Sequence, residues 1–110
     1  MRSLLDREPD LQVIDEAKDW QETIELTRLQ HPDLVLMDVG MPKVDALTAT
    51  QTIKEEFPTT KVLIMSAYED LRLDSEAVRA GADGYVLKLS LVQEILDTIR
   101  GVLRGKSQYP

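Results

Sequence analysis

Residues 34–38 read Leu34-Val35-Leu36-Met37-Asp38, an apolar run without polar alternation that closes on an acid. A strand with one wet face would alternate, and a buried helix would need a longer run. The pattern suits a short strand covered on both faces, as in a parallel sheet held between helices. Gly40 and Pro42 follow as a loop. The same pattern recurs at Val62-Leu63-Ile64-Met65, which ends at Ser66, and at Tyr85-Val86-Leu87, which ends at Lys88. Upstream, Leu11, Val13 and Ile14 form another short strand-like run.

Helical patterns separate these runs. Asp19 to Gln30 has Asp19 as N-cap and Glu22 at the capping-box position. Ile24 and Leu29 are its expected buried face, and His31-Pro32-Asp33 ends it. Ala46, Ala49, Ile53 and Phe57 recur at helical spacing until Pro58. Asp70 to Ala80 is a weaker helix closed by Gly81. The last helix is expected to start from a Ser90 cap, with Gln93 completing a capping box. Val92, Ile95, Leu96, Ile99, Val102 and Leu103 form its apolar face. Arg100 and Arg104 sit near its C-terminus, where the helix dipole favours cations.

Alternating strands and helices imply an α/β fold around a parallel sheet, with right-handed crossovers placing helices on both faces. Ligands of such sheets bind beyond the carboxyl ends of the strands. Those ends carry Asp38, Ser66 and Lys88. A carboxylate can attack phosphorus to give an acyl phosphate, a lysine can neutralise phosphoryl oxygens, and a hydroxyl can hydrogen-bond one of them. Each residue alone also fits a plainer role, as a turn acid, a strand-end hydroxyl or a solvated lysine. Their recurrence on successive strand ends gives the chemical reading its weight.

The chain of 110 residues has room for one domain. Its lack of cysteine excludes disulfides, thiolate metal sites and a cysteine nucleophile, and fits a cytoplasmic setting. No apolar run is long enough to span a bilayer. The charged N-terminus reads as neither signal nor transit peptide. A net charge of −7 disfavours direct nucleic-acid binding by this chain. His31, followed by a proline at a helix end, reads as a loop residue.

Pro32-Asp33-Leu34-Val35-Leu36-Met37-Asp38-Val39-Gly40-Met41-Pro42 resembles the phosphoacceptor segment of bacterial two-component response-regulator receiver domains. Val62-Leu63-Ile64-Met65-Ser66-Ala67-Tyr68 resembles their fourth strand with its hydroxyl residue. Gly81-Ala82-Asp83-Gly84-Tyr85-Val86-Leu87-Lys88 resembles their fifth strand with its lysine, in the form typical of the NarL/FixJ type, as is Arg7-Glu8-Pro9-Asp10. The resemblance implies a flavodoxin-like (CheY-like) three-layer sandwich. It implies that Asp38 accepts phosphate from a sensor histidine kinase, that Lys88 pairs with the phosphoryl charge, and that Ser66 bonds the phosphoryl group and moves with it. Tyr85 would be the aromatic switch residue, and Asp38 with the Gly40 backbone carbonyl would contribute to Mg²⁺ binding. Such a receiver assists its own phosphorylation and dephosphorylation without being a metabolic enzyme. It would regulate transcription through a separate DNA-binding domain, reached through a linker beginning in residues 105–110, with residues 1–104 forming the receiver.

The sequence departs from the family at its start. The family's first strand, the acidic pair at its end and the start of its first helix have no counterpart here, and Met1 to Glu8 matches only the end of that helix. The expectation is an N-terminally truncated receiver with weakened Mg²⁺ binding, or a homodimer or strand-completing partner that fills the gap. Asp15 and Glu16, after Val13 and Ile14, offer a remote substitute for the pair. The resemblance puts Asp45 in the loop after the proline, away from the metal. Ala46 and Leu89 are minor departures from the usual residues. The alternative function is a degenerate, phosphorylation-independent interaction or dimerisation module. A hydrolase with an aspartate nucleophile would want a second carboxylate two residues after Asp38, where Gly40 stands.

Overall fold

Among the described residues three parallel strands form the sheet: β1 (Leu34–Asp38), β2 (Lys61–Ser66) and β3 (Gly84–Leu87), in the order β1-β2-β3. The structure is a computed structural model that describes residues 5, 7–12, 19–38, 43–66 and 71–105. Four helices accompany the strands among these residues: α1 (Trp20–Gln30), α2 (Lys43–Glu56), α3 (Leu71–Ala80) and α4 (Val92–Leu103). The register runs from Leu34 opposite Lys61 to Asp38 opposite Met65, and from Leu63 opposite Gly84 to Ser66 opposite Leu87.

The unbroken apolar runs are explained by two separate cores. Alternate residues of a strand face opposite sides of a sheet. Met37, Val62, Ile64 and Tyr85 pack on one side with Ile24 of α1, Ala46, Ala49 and Ile53 of α2, and Ala77 of α3. Leu63, Met65 and Val86 pack on the other side with Ile95, Ile99 and Val102 of α4. Leu5, Leu11, Leu34 and Leu36 complete that second core from its margin. Helices on both faces of a parallel sheet give the expected three-layer sandwich.

Local chemistry sets the element ends. Asp19 caps α1, its Oδ1 accepting the Glu22 amide at 2.8 Å. His31 closes α1 in the left-handed region (φ 47°), its N–H donating to the Thr27 carbonyl. The His31 ring meets Phe57 edge-on at 5.5 Å, and Arg28 forks onto Glu56, so the C-terminal ends of α1 and α2 are tied together. Gly81 ends α3 with φ +94°, a conformation that strains any side chain.

Four expectations need correction. Asp45, expected in the loop after Pro42, lies within α2. Leu29 is not part of the α1 core: it is 75% exposed, and the buried face is Thr23, Ile24 and Thr27. Leu29 lies five residues from Ile24, about 140° around the helix. The threonine hydroxyls at 23 and 27 are satisfied by the carbonyls of Asp19 and Thr23, which is why polar residues can line this face.

Ser90 does not cap α4. Its N–H donates to the Leu87 carbonyl at 3.1 Å in the turn after β3, and Leu91 takes the N-cap position without a side-chain bond. Gln93 bonds Asp97 along the helix instead of closing a box.

The apolar face of α4 is also shorter than expected. Ile95, Leu96, Ile99 and Val102 are buried, while Val92 and Leu103 are exposed. Val92 and Leu103 are the first and last residues of α4, so the buried stripe is confined to the residues between them.

The strand-like run at Val13–Ile14, the acids Asp15 and Glu16, the loop with Gly40 and Pro42, Asp70, and residues 106–110 lie outside the described residues.

Candidate functional site

The sheet register builds the rim. Asp38 ends β1 and pairs with Met65, the residue before Ser66. Ser66 ends β2 and pairs with Leu87, the residue before Lys88. The ladder continues one step beyond β3, where the Lys88 N–H donates to the Ser66 carbonyl at 2.7 Å. The backbones of Asp38, Ser66 and Lys88 therefore stand on three successive strand ends, with adjacent strands about 4.8 Å apart.

Their surroundings differ. Ser66 is buried, at 4% exposure, while Lys88 is exposed. Tyr85 is 3% exposed and lies opposite Ile64, in the core shared with α1, α2 and α3. Ser66 follows Ile64 by two positions, so Ser66 and Tyr85 belong to the same face of the sheet. Gly40 lies outside the described residues.

The opposite end of the strands is fixed by a polar knot. Lys54 Nζ donates at 3.0 Å to the carbonyls of Pro58 and Thr60 and to Asp83 Oδ2. The same carboxylate oxygen accepts the Val62 N–H at 2.9 Å, and the Asp83 N–H donates to the Val62 carbonyl at 2.8 Å. α2, β2 and the lead-in to β3 thus meet at one ammonium.

On the α4 side, Arg100 donates to Glu8 Oε1 at 2.6 Å and forks onto both Asp10 oxygens. This gives the Arg7–Asp10 motif a physical role that the sequence reading missed. No local signal could have shown it, because the partners are about ninety residues apart. Arg100 holds the Asp10 carboxyl below its usual value through the hydrogen bond. Arg28 does the same for Glu56.

Among the described residues no group of three or more His, Cys, Asp or Glu is arranged to hold a metal ion. No helix among them is long and apolar enough to cross a membrane.

Comparison with known proteins agrees with this geometry. The family model "Response regulator receiver domain" matches residues 1–100. The chain belongs to the response-regulator receiver family. It is 36% identical over 108 residues to the transcriptional regulatory protein YxjL of Bacillus subtilis, covering 98% of this chain and 50% of that protein. It is 34% identical over 107 residues to the response regulator VraR of Staphylococcus aureus, covering 97% of this chain and 51% of the relative. Receiver structures superpose closely. A LuxR-family response regulator from Aurantimonas sp. gives a TM-score of 0.91 at 33% identity, over 97% of this chain and 76% of that one. The receiver domain of NarL from Mycobacterium tuberculosis gives 0.86 at 28% identity, over 94% and 84%.

This receiver has the CheY-like fold and the NarL type expected from its motifs. The chain spans about half the length of the curated relatives it matches. A receiver domain is a signalling module of the two-component system, not a metabolic enzyme.

Proposed function

We propose that Asp38 is the phosphoacceptor of this receiver, with Ser66 and Lys88 as phosphoryl-binding residues and Tyr85 as the switch residue. The supporting observation is the register that sets Asp38, Ser66 and Lys88 on adjacent strand ends. An Asp38 carboxylate oxygen attacks phosphorus, the bond from phosphorus to the donor histidine nitrogen breaks, and its electron pair leaves with the imidazole. Lys88 supplies positive charge to the phosphoryl oxygens and Ser66 donates a hydrogen bond to one of them. A shift of Ser66 toward the phosphate would relieve or tighten packing at Tyr85, which shares its face. Such a local charge event biases a two-state surface.

Receiver domains typically bind Mg²⁺ at the phosphorylation site, where it neutralises phosphoryl charge. The carboxylate of Asp38 and the backbone carbonyl of Gly40 are hard oxygen donors of the class this ion takes, and would hold it here.

The donor in the cell would be a sensor histidine kinase, acting in the cytoplasm. The receiver would itself assist phosphorylation and dephosphorylation at Asp38. Residues 1–104 would form the receiver, and residues 105–110 would begin a linker to a DNA-binding domain. In support, α4 closes on Arg104 and Gly105 turns the chain with φ +86°. The whole protein would regulate transcription, as the names of its relatives say of them.

Incubation with a small phosphodonor and Mg²⁺, followed by intact mass, tests the site. The chain should gain one phosphoryl group and Asp38→Asn should gain none. No gain in the parent chain, or a gain that survives Asp38→Asn, overturns the reading and favours a phosphorylation-independent module.

A further inference from the structure

The turn formed by residues 7–11 lies against α4, and its described polar attachments to the rest of the molecule converge on one side chain. Arg100 Nη2 donates to Glu8 Oε1 at 2.6 Å and to Asp10 Oδ1 at 3.0 Å, and Nε donates to Asp10 Oδ2 at 2.9 Å. The backbone bonds of the turn are internal: the Glu8 N–H donates to the Leu5 carbonyl and the Leu11 N–H to the Glu8 carbonyl. Its apolar attachment is Leu5 and Leu11, both only partly buried against the core of Leu63, Met65, Val86, Ile95, Ile99 and Val102. Among the described residues, two leucines and one guanidinium hold this segment, and it shares no ladder bond with the sheet.

A fork onto a carboxylate is directional and well aligned. It is also open to solvent, the Asp10 side chain being 53% exposed, so dissolved salt screens it. A segment held this way opens at a lower free energy than the buried strands. We propose that Leu5 and residues 7–11 form a strap latched by Arg100, which lifts as a unit and uncovers the α4 side of the core while the sheet stays intact. Arg100 stands in the last turn of α4, so the latch also joins the start of the described chain to the place where α4 ends.

Amide hydrogen exchange on the whole chain, read by NMR, tests the strap. The reporters are the amides of Glu8 and Leu11. The sheet references are the amides of Asp83 and Lys88, bonded to the carbonyls of Val62 and Ser66. Arg100→Gln should speed the reporters by roughly threefold or more and leave the references unchanged. Raising NaCl from about 0.1 M to about 1 M should speed the reporters in the parent chain and not in the variant. Arg100→Lys keeps the charge without the fork and should fall between. Asp10→Asn should speed the reporters by itself and add little to Arg100→Gln.

Reporters that exchange in step with Asp83 and Lys88 in the parent chain overturn the strap. Reporters indifferent to both Arg100→Gln and Asp10→Asn overturn it too, as does a salt response that persists without Arg100. If Arg100→Gln loosens the whole sheet, the references accelerate with the reporters, and Asp10→Asn alone must then separate the two sets or the proposal fails.

Discussion

Lys54 and Asp83 meet at 3.0 Å, on the same carboxylate oxygen that accepts the Val62 N–H. The ammonium also binds two backbone carbonyls, those of Pro58 and Thr60. Both side chains are mostly shielded, at 16% and 21% exposure. Removing either partner leaves the other short of hydrogen bonds. Asp83→Ala and Lys54→Ala should each cost about 1.5–3 kcal/mol, and the double variant should cost clearly less than the sum. Urea unfolding of the four proteins measures the coupling; additive losses would show that the two groups act separately.

The two expected helix caps should separate under mutation. Asp19 caps α1 through the Glu22 amide, so Asp19→Ala should cost about 1 kcal/mol. Ser90 does not cap α4, and Ser90→Ala should stay within about 0.5 kcal/mol. Equal losses at both positions would contradict the assignment of the α4 cap to Leu91.

Leucine and isoleucine substitutions should divide by burial and not by hydropathy. Ile64→Ala and Leu63→Ala, one in each core, should each cost about 2–5 kcal/mol. Leu29→Ala, on the wet side of α1, should change stability by no more than about 0.5 kcal/mol. Thermal or urea midpoints decide this directly.

The Arg28–Glu56 pair should leave a signature in acid. Glu56 is held below its ordinary value by the Arg28 hydrogen bond. The folded state therefore binds fewer protons there than the unfolded chain, and stability rises with pH. The contribution is complete above the unfolded value of about 4.3 and disappears as the pH falls through the lower folded value. The stability gap between the parent chain and Arg28→Gln should be present at neutral pH, close in acid, and shrink in high salt. A gap independent of pH would assign the effect to packing of the arginine stem.

The strands were legible because their apolar runs have one physical cause, a core on each face. The rim was legible for a related reason. Once Leu34–Met37, Val62–Met65 and Tyr85–Leu87 are parallel strands, Asp38, Ser66 and Lys88 must share one end of the sheet. The α1 cap was readable because Asp19 and Glu22 are close in sequence. The cap of α4 was misread because the helix begins one residue later than a Ser90 cap requires, with Leu91 at the N-cap, a boundary that sequence spacing does not show. The grip of Arg100 on Glu8 and Asp10, and of Lys54 on Asp83, depends on chain packing across 29 to 92 residues. Arg100 carried only a helix-dipole reading beforehand, and Lys54 carried none.

Because β2 is apolar toward both cores, hydrophobicity alone does not choose how it aligns with β3: a slip by one residue would still bury greasy side chains on each side. Alignment must come from groups that recognise a single partner. The Asp83 carboxylate grips the Val62 amide at one end of β2, and the Lys88 amide meets the Ser66 carbonyl at the other. Asp83 therefore works as an index mark. From about 13 Å away, at the far end of the strand, it fixes which residue of the lysine-bearing strand comes to rest beside Ser66.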